Sequence, residues 1–213
     1  MTEEAALTLT TSHLKDSDSE LNKRELLLIL VAYHPSEDEV NILKDCLSCL
    51  NEKIGYSIVV NDYKVGESVD LLIEDSDYYL LNNDNPGYGG AVNRLISKLT
   101  QLLKYIGVLN IDLSWEDGTF EKLLMWLNNH NDVSLAVPQI LDVKGSIQRL
   151  CKRNPTLLGL FSRRFLPTFL KPQWLKKYDH WYVMSDCNYE KTFEASYLSG
   201  CCMLIKSDAF ISI

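Results

Sequence analysis

The chain has 213 residues, of which 46% are hydrophobic and 23% are charged, and its formal net charge is −8 at pH 7. This length and composition predict a globular protein with one substantial domain or two small ones. The negative charge argues against a protein whose main partner is nucleic acid. The longest apolar run, LLLILVAY at residues 26–33, is far shorter than a membrane-spanning helix.

The N-terminal segment is acidic and polar, without the basic and then apolar order of a secretory signal. We expect residues 1–23 to be a flexible leader and the protein to be cytoplasmic, with its six cysteines reduced. One CxxC pair, Cys46 and Cys49, falls on a predicted helix and has no second pair at zinc-like spacing. Packing of the helix face is therefore favoured over a metal or redox role.

Apolar runs alternate with segments of helical periodicity from residue 24 to residue 138. The predicted strands are 25–33, 56–61, 77–81, 105–110 and 133–138. The predicted helices are one that follows Ser36 as its N-cap, a second at 91–103 and a third at 118–129. This order predicts an α/β fold with a Rossmann-like, mostly parallel twisted sheet that is flanked by helices.

The pattern changes after Pro138. A turn is predicted at Lys144-Gly145, and one more strand is predicted near the end of the sequence. The stretch 157–182 is aromatic and basic, and Pro167 and Pro172 interrupt it. We favour a packed subdomain with a solvated basic face for this stretch; the alternative is a surface that rests on an anionic membrane.

Polar clusters follow four of the predicted strands. They are Tyr33-His34-Pro35, Asn61-Asp62, the loop 82–90 and Asn110-Ile111-Asp112. Because parallel sheets bind ligands beyond the carboxyl ends of their strands, this coincidence predicts a ligand site at that edge.

The loop contains the sequence PGYGG at residues 86–90. Glycines allow close approach of a ligand to the backbone, and the start of a following helix offers free N–H groups. The spacing does not match the dinucleotide fingerprint GxGxxG, and no Lys-Ser/Thr pair completes a P-loop. A generic turn and a binding loop both remain open on this pattern alone.

Two carboxylates in these clusters could bind ligand. Asp62 could accept hydrogen bonds from a ribose or a base, or it could be a turn-forming residue. Asp112 comes just after a buried strand, and Asn110 lies on the same side of the chain. Mg²⁺ or Mn²⁺ held by a diphosphate needs few protein oxygens, so these two residues are candidate metal ligands. A capping or loop role for Asp112 is the alternative.

Taken together, six segments in this order resemble family 2 glycosyltransferases, and most of all the bacterial rhamnosyltransferase-like branch that builds surface polysaccharides. The resemblance covers roughly residues 25–210. The six segments are VAYHPSEDEVNILKDCLSCL, IVVND, NNDNPGYGGAVNRLI, VLNIDLSWEDGTFEKLL, VPQILDVKGSIQRLCKRNPT and YLSGCCMLIKSDAF.

The resemblance implies the A-type glycosyltransferase (GT-A) fold over residues 24–213. It implies a nucleotide-sugar-binding part at 24–138 and an incomplete acceptor-side part at 139–213. The residues that match the family pattern around the donor are Tyr33, Pro35, Asp62, Asn85, Gly87, Gly89 and Asn93, with Asn110 and Asp112 in place of the metal-binding DxD motif. Gln148, Arg149 and Arg153 match a segment assigned to donor or acceptor contacts, and Ser199-Gly200 matches a small-residue step before the acceptor site.

The activity that the resemblance implies is inverting transfer of a sugar, with rhamnose suggested, from a nucleoside-diphosphate sugar to a saccharide or lipid-linked acceptor. The process would be cell-surface polysaccharide synthesis at the inner face of the cell membrane, with Mg²⁺ or Mn²⁺ as cofactor.

In the family, a Glu-Asp pair beyond the last strand supplies the base, whereas this sequence ends at Ile213. We expect a C-terminally truncated form in which the catalytic residue is unknown and turnover is impaired. A non-catalytic nucleotide-sugar-binding or interaction protein with the same fold is the alternative. A nicotinamide-dependent oxidoreductase is disfavoured, because the glycine pattern and its position are wrong.

Overall fold

The structure is a computed structural model, and it describes residues 12–14 and 23–211. The chain forms two compact units: unit 1 comprises Met1–Ala136 and Gly200–Ile213, and unit 2 comprises Val137–Ser199. The functional division expected at residue 138 stays a prediction. Three residues of the expected leader form a strand, and most of its other residues lie outside the described part of the chain.

Unit 1 contains a seven-stranded sheet in the order β1-β4-β3-β2-β5-β7-β6. The strands are β1 (Ser12–Leu14), β2 (Leu26–Tyr33), β3 (Ile54–Asn61), β4 (Tyr78–Leu81), β5 (Tyr105–Asn110), β6 (Leu135–Ala136) and β7 (Cys202–Lys206). The four central strands, β4, β3, β2 and β5, are parallel, whereas β1, β7 and β6 pair antiparallel with their neighbours. The predicted α/β class with a mostly parallel sheet is therefore confirmed.

The helices of unit 1 are α1 (Glu37–Ser48), α2 (Asp70–Ile73), α3 (Gly87–Ile96), α4 (Thr119–Asn129) and α7 (Ser207–Ile211), while unit 2 contains α5 (Leu157–Phe165), a 3₁₀ turn (Thr168–Leu170) and α6 (Gln173–Tyr182). The predicted start of α1 is confirmed. The Ser36 hydroxyl accepts the Glu39 N–H at 3.3 Å, and the Glu39 carboxylate accepts the Ser36 N–H at 2.8 Å. This reciprocal capping box fixes the point at which the chain turns from β2 into the helix.

The core of unit 1 is centred on β2, in which every residue from Leu26 to Ala32 is buried. A continuous apolar run is typical of a central parallel strand, because helices cover both of its faces. Val92 and Leu95 of α3 pack on the same cluster of buried residues, so the core also positions that helix.

Two predicted elements differ from the structure. The helix predicted at 91–103 instead spans Gly87–Ile96, so the glycines form its first turn rather than a loop before it. Leu99 and Leu103 lie beyond the helix but still pack on the core, which explains why their spacing suggested a longer helix. The strand predicted at 133–138 is limited to Leu135–Ala136.

Unit 2 is held together by local turns and by a pair of helices. The predicted turn is confirmed: Gly145 has φ +78°, and the N–H groups of Lys144 and Ser146 donate to the Asp142 carboxylate. Helix α5 packs on α6 with Gly159 directly against the ring of Tyr178. Within residues 12–14 and 23–211, no helix is long and apolar enough to cross a membrane.

Candidate functional site

The ends of β2 and β3 lie side by side, because Tyr33 is the register partner of Asn61. The next residue in each strand, His34 and Asp62, has a left-handed backbone, with φ of +44° and +51°. This conformation is uncommon for residues other than glycine, so the chain leaves both strands abruptly at this edge. The His34 Nε2 lies 3.0 Å from an oxygen of Asp62, and its Nδ1 lies 2.8 Å from Glu67.

The charges around Asp62 fix its ionisation. Lys64 donates to Oδ1 at 2.7 Å while His34 contacts Oδ2, and these hydrogen bonds, with that from Lys64 the larger, hold the pKa of Asp62 below its ordinary value. The same contact with Asp62, followed by that with Glu67, raises the pKa of His34. Asp62 is thus an oriented, ionised carboxylate that still exposes a third of its side chain. It can accept hydrogen bonds from a polar ligand next to the exposed ring of Tyr33.

Three asparagines connect β3, the end of β4 and α3. Asn61 and Asn82 are both buried, and the Asn82 amide donates to the Asn61 side-chain oxygen at 3.0 Å. The Asn61 amide donates in turn to the Asn85 side-chain oxygen at 3.4 Å, and the same oxygen accepts the Gly87 N–H at 3.0 Å. This chain of hydrogen bonds sets the position at which α3 begins.

An ion pair also holds the loop between β4 and α3. Arg94 of α3 binds both oxygens of Asp84, at 2.5 and 2.9 Å, and also donates to Asn82. The loop between β4 and α3 is therefore tied to the body of its own helix, although most of its residues are exposed.

The start of α3 is open. Side-chain atoms built on Gly87 or Gly89 would meet nothing within 4 Å, and Gly87 has φ +77°. The first N–H groups of a helix lack partners within the helix and carry partial positive charge. Among the described residues, Asn85 accepts the Gly87 N–H, and the next N–H groups of this first turn remain as donors to an anion that approaches from the open side.

Asn110 and Asp112 follow β5 at the same edge. Asn110 pairs in register with Val31 of β2, and its N–H donates to the Cys201 carbonyl at 2.9 Å. The Asp112 side chain is exposed, and within residues 23–211 no hydrogen bond or ion pair engages it.

Tyr88 connects α3 to this region, since its hydroxyl donates to the Gly200 carbonyl at 2.7 Å. Burial raises the pKa of Tyr88, and the charges of Cys202, Cys201 and then Asp112 add to the effect. Asp112 therefore lies within electrostatic reach of the first turn of α3.

The oxygen atoms of Asn110 and Asp112 suit one kind of metal site. The described residues contain no group of three His, Cys, Asp or Glu side chains that could hold an ion by themselves. An exposed carboxylate beside an amide oxygen suits a divalent ion whose other ligands are phosphate oxygens and water. Asp112 and Asn110 fit that description, whereas a structural zinc site does not.

The structure brings together most of the residues predicted from sequence. The ones in unit 1 that lie at or just after the carboxyl ends of the parallel strands are Tyr33, Pro35, Asp62, Asn85, Gly87, Gly89, Asn110 and Asp112. Asn93 lies further along α3 and is exposed.

The two predicted arginines belong to unit 2. Arg149 is exposed, whereas Arg153 makes a two-pronged ion pair with Asp186 at 2.7 and 2.9 Å and packs over the ring of Trp181. The contacts of Arg153 show a structural role within unit 2, and its assignment to substrate stays a prediction.

Sequence reasoning missed the partners of the predicted residues. Lys64, Glu67 and Tyr88 are not among the predicted site residues, and His34 enters only as part of a polar cluster. The roles of His34, Lys64 and Glu67 depend on strand register and on the left-handed turns after β2 and β3, whereas that of Tyr88 depends on the start of α3 at Gly87. The only sequence signal is the placement of charged residues within a few positions of Asp62.

The sequence profile of glycosyl transferase family 2 matches residues 35–213, and the chain belongs to this family. Its mostly parallel sheet flanked by helices is accordingly of the GT-A type. A search of curated protein sequences finds no match.

Several solved structures are similar to this chain. A mannosyltransferase from Pyrobaculum calidifontis, PcManGT in complex with GDP-Man and Mn²⁺, is 14% identical with a TM-score of 0.48, over 61% of this chain and 39% of that one. TarS 1–349 from S. aureus in complex with UDP-GlcNAc is 13% identical with a TM-score of 0.49, over 61% of this chain and 38% of that one. The matched part of this chain thus spans about two fifths of either structure.

Proposed function

We propose that this protein binds a nucleoside-diphosphate sugar at the carboxyl edge of the unit 1 sheet and transfers the sugar to a saccharide or lipid-linked acceptor. The observation that carries the proposal is the arrangement of Asp62, the open start of α3 and Asp112 at one edge, in a chain that belongs to glycosyl transferase family 2. The three features offer, respectively, a hydrogen-bond acceptor, anion donors and a metal ligand.

Each part of the donor has a suitable partner at this edge. The exposed ring of Tyr33 provides a surface for the base, and Asp62, held by His34 and Lys64, accepts hydrogen bonds from the base or ribose. The N–H groups of Tyr88 and Gly89 would face the diphosphate. The open space at these glycines supports this assignment, because a side chain there would hinder the approach of phosphate oxygens.

Asp112 and Asn110 would hold Mg²⁺ or Mn²⁺. When bound, the ion neutralises the charge that develops on the leaving diphosphate. The N–H groups of α3 act on the same charge from fixed positions, so they stabilise it without reorganisation during the transfer. We further propose that the transfer is inverting and that rhamnose is the sugar, on the likeness of the six sequence segments to one branch of the family.

The test is calorimetric titration of the purified protein with UDP, GDP and dTDP, with and without Mn²⁺. We expect Mn²⁺-dependent binding of one of them, and a loss of about tenfold or more in affinity for Asp112→Asn. The matched control is Asp117→Asn, which changes an exposed carboxylate in the same loop. Both variants should melt at the wild-type temperature, since both side chains lie at the surface.

Absence of nucleotide binding would refute the donor site, and equal binding by Asp112→Asn and Asp117→Asn would refute the metal site at Asp112. Release of the nucleoside diphosphate from a nucleotide sugar in the presence of acceptor then tests transfer itself. Binding without turnover of any donor would identify a nucleotide-sugar-binding protein that keeps the GT-A fold.

A further inference from the structure

Helix α5 in unit 2 has its small residues inside and its large apolar residues outside. Gly159 and Ser162 are buried, and a Cβ on Gly159 would lie 2.2 Å from a ring carbon of Tyr178. The Ser162 hydroxyl is satisfied locally, because it donates to the Gly159 carbonyl at 2.8 Å. The close contact between α5 and α6 therefore uses the small face of α5, and the apolar face is left without a partner in unit 2.

The exposed apolar face forms a stripe along α5. Leu157, Phe161 and Phe165 recur every four residues with Leu158 beside them, and all four are exposed. The rings of Phe161 and Phe165 contact each other with centroids 4.8 Å apart. Further along the chain, Phe169 of the 3₁₀ turn is 82% exposed, and Trp174 in the first turn of α6 is exposed as well. We call these side chains the apolar patch: Leu157, Leu158, Phe161, Phe165, Phe169, Leu170 and Trp174.

The two helices that carry the apolar patch also carry exposed basic side chains. Arg164, Lys176 and Lys177 are exposed and form no ion pair within residues 23–211. The one acidic residue of 157–182 is Asp179, which is held by Lys171 at 2.6 Å and approached by Arg163 at 3.9 Å. The positive charge in this stretch is therefore not neutralised at the surface. We call Arg164, Lys176 and Lys177 the basic rim.

The two units carry opposite net charge, and unit 2 is the positive one. Residues 137–199 carry 10 Lys and Arg against 5 Asp and Glu, a net charge of +5. The rest of the chain carries 11 Lys and Arg against 24 Asp and Glu, a net charge of −13. Such an asymmetry favours an anionic partner for the unit that bears the apolar patch.

We propose that the apolar patch and the basic rim dock unit 2 on an anionic lipid bilayer, with α5 lying in the plane of the interface. Large apolar side chains enter the boundary between headgroups and acyl chains, and Lys and Arg bind the lipid phosphates above them. A bilayer is the partner that combines an anionic layer with an apolar interior, and it accepts an apolar stripe without requiring a complementary groove. The proposal does not depend on glycosyl transfer.

The experiment is co-sedimentation of the full chain with vesicles of phosphatidylcholine alone and of phosphatidylcholine mixed with phosphatidylglycerol. Wild type should bind the mixed vesicles and should bind less as salt rises. Lys176→Gln/Lys177→Gln should lower the partition coefficient by roughly 30-fold, at about fivefold for each cation. Phe161→Gln/Phe165→Gln should lower it by about tenfold or more through the lost apolar burial.

Matched controls lie in unit 1. Val65 is 93% exposed and Lys98 is exposed without an ion pair in the described residues, so Val65→Gln and Lys98→Gln should bind as wild type does. All variants change surface side chains, and their melting temperatures report whether the fold is kept. Equal binding to neutral and mixed vesicles, no binding to either, or unchanged binding by the patch and rim variants would overturn the proposal. A dimer that becomes a monomer in Phe161→Gln/Phe165→Gln would show instead that a second copy covers the patch.

Discussion

The buried pair Asn61 and Asn82, at the carboxyl edge of the unit 1 sheet, gives the sharpest test of the structure. In Asn82→Ala, the side-chain oxygen of Asn61 loses the donor that lies 3.0 Å away, and Asn61 is only 2% exposed. An orphaned buried acceptor costs about 1–3 kcal/mol, and the lost contact to Arg94 adds to this. We expect a destabilisation of about 2–3 kcal/mol, which for a chain of this length lowers the melting temperature by roughly 5–10 °C.

The assay is thermal and urea unfolding of Asn61→Ala, Asn82→Ala and the double variant. Because removal of both partners leaves no orphaned group between them, the double variant should be less destabilised than the sum of the single ones by about 1 kcal/mol or more. Asn131→Ala is the matched control, since Asn131 is exposed, and its effect should stay within about 0.5 kcal/mol. Additive single effects, or a cost for Asn82→Ala no larger than that of the control, would show that this hydrogen bond does not stabilise the fold.

Three further predictions concern the same edge of the sheet and the core below it. The pKa of His34 is raised by Asp62 and then Glu67, so the stabilisation from protonated His34 is complete below about pH 6.5 and is lost as the pH rises through the folded-state pKa. Thermal melts across about pH 5–9 should therefore separate wild type from His34→Gln at the acidic end and not at the basic end; a constant difference would contradict the ion pairing. In Gly89→Ala the new Cβ would meet no atom within 4 Å, so the variant should be more stable by up to about 1 kcal/mol, while its nucleotide binding should weaken. In Gly107→Ala the new Cβ would lie 2.5 Å from Leu28, so the variant should be less stable by about 1–3 kcal/mol. Urea unfolding measures the stability of the two glycine variants, and calorimetry measures their nucleotide binding. A shift of stability in the same direction in both variants would contradict the reasoning from the space around each glycine.

Local sequence signals locate the elements that depend on local physics. The run at 26–32 has no polar residue to place on a solvated face, and it forms the buried part of the central strand β2. Ser36 and Glu39 carry a complete capping signal, and α1 starts where they place it. Where one local rule decides the outcome, the sequence is sufficient.

The beginning of α3 and the helices of unit 2 do not follow from the sequence, for a different reason. Glycine is a poor helix former, yet the hydrogen bond from Gly87 to Asn85 and the packing of Val92 on the core begin the helix in the glycine run. In α5 the large apolar residues are exposed, so their spacing does not predict how the helix packs. Tertiary contacts decide both cases, and these contacts join residues that are far apart in the sequence.

The candidate site is predictable at the level of the sheet edge. Parallel strands place their carboxyl ends together, which explains why the sequence pattern alone groups Asp62, Asn85 and Asp112. The partners of Asp62 cannot be foreseen in the same way. They depend on the two left-handed residues, His34 and Asp62, which turn the chain so that the imidazole reaches the carboxylate.

The antiparallel pairing of β7 with β5 has a consequence for synthesis of the chain. Leu109 of β5 pairs with Cys202 of β7, so a strand near the centre of the sheet obtains its second neighbour only after unit 2 has been made. At the usual rates of translation, the intervening residues take about 5–20 seconds to add. During this time β5 presents an open row of backbone N–H and C=O groups, which is the type of edge on which other strands assemble. Newly made chains of this protein therefore pass through a period in which one edge of β5 lacks its native neighbour.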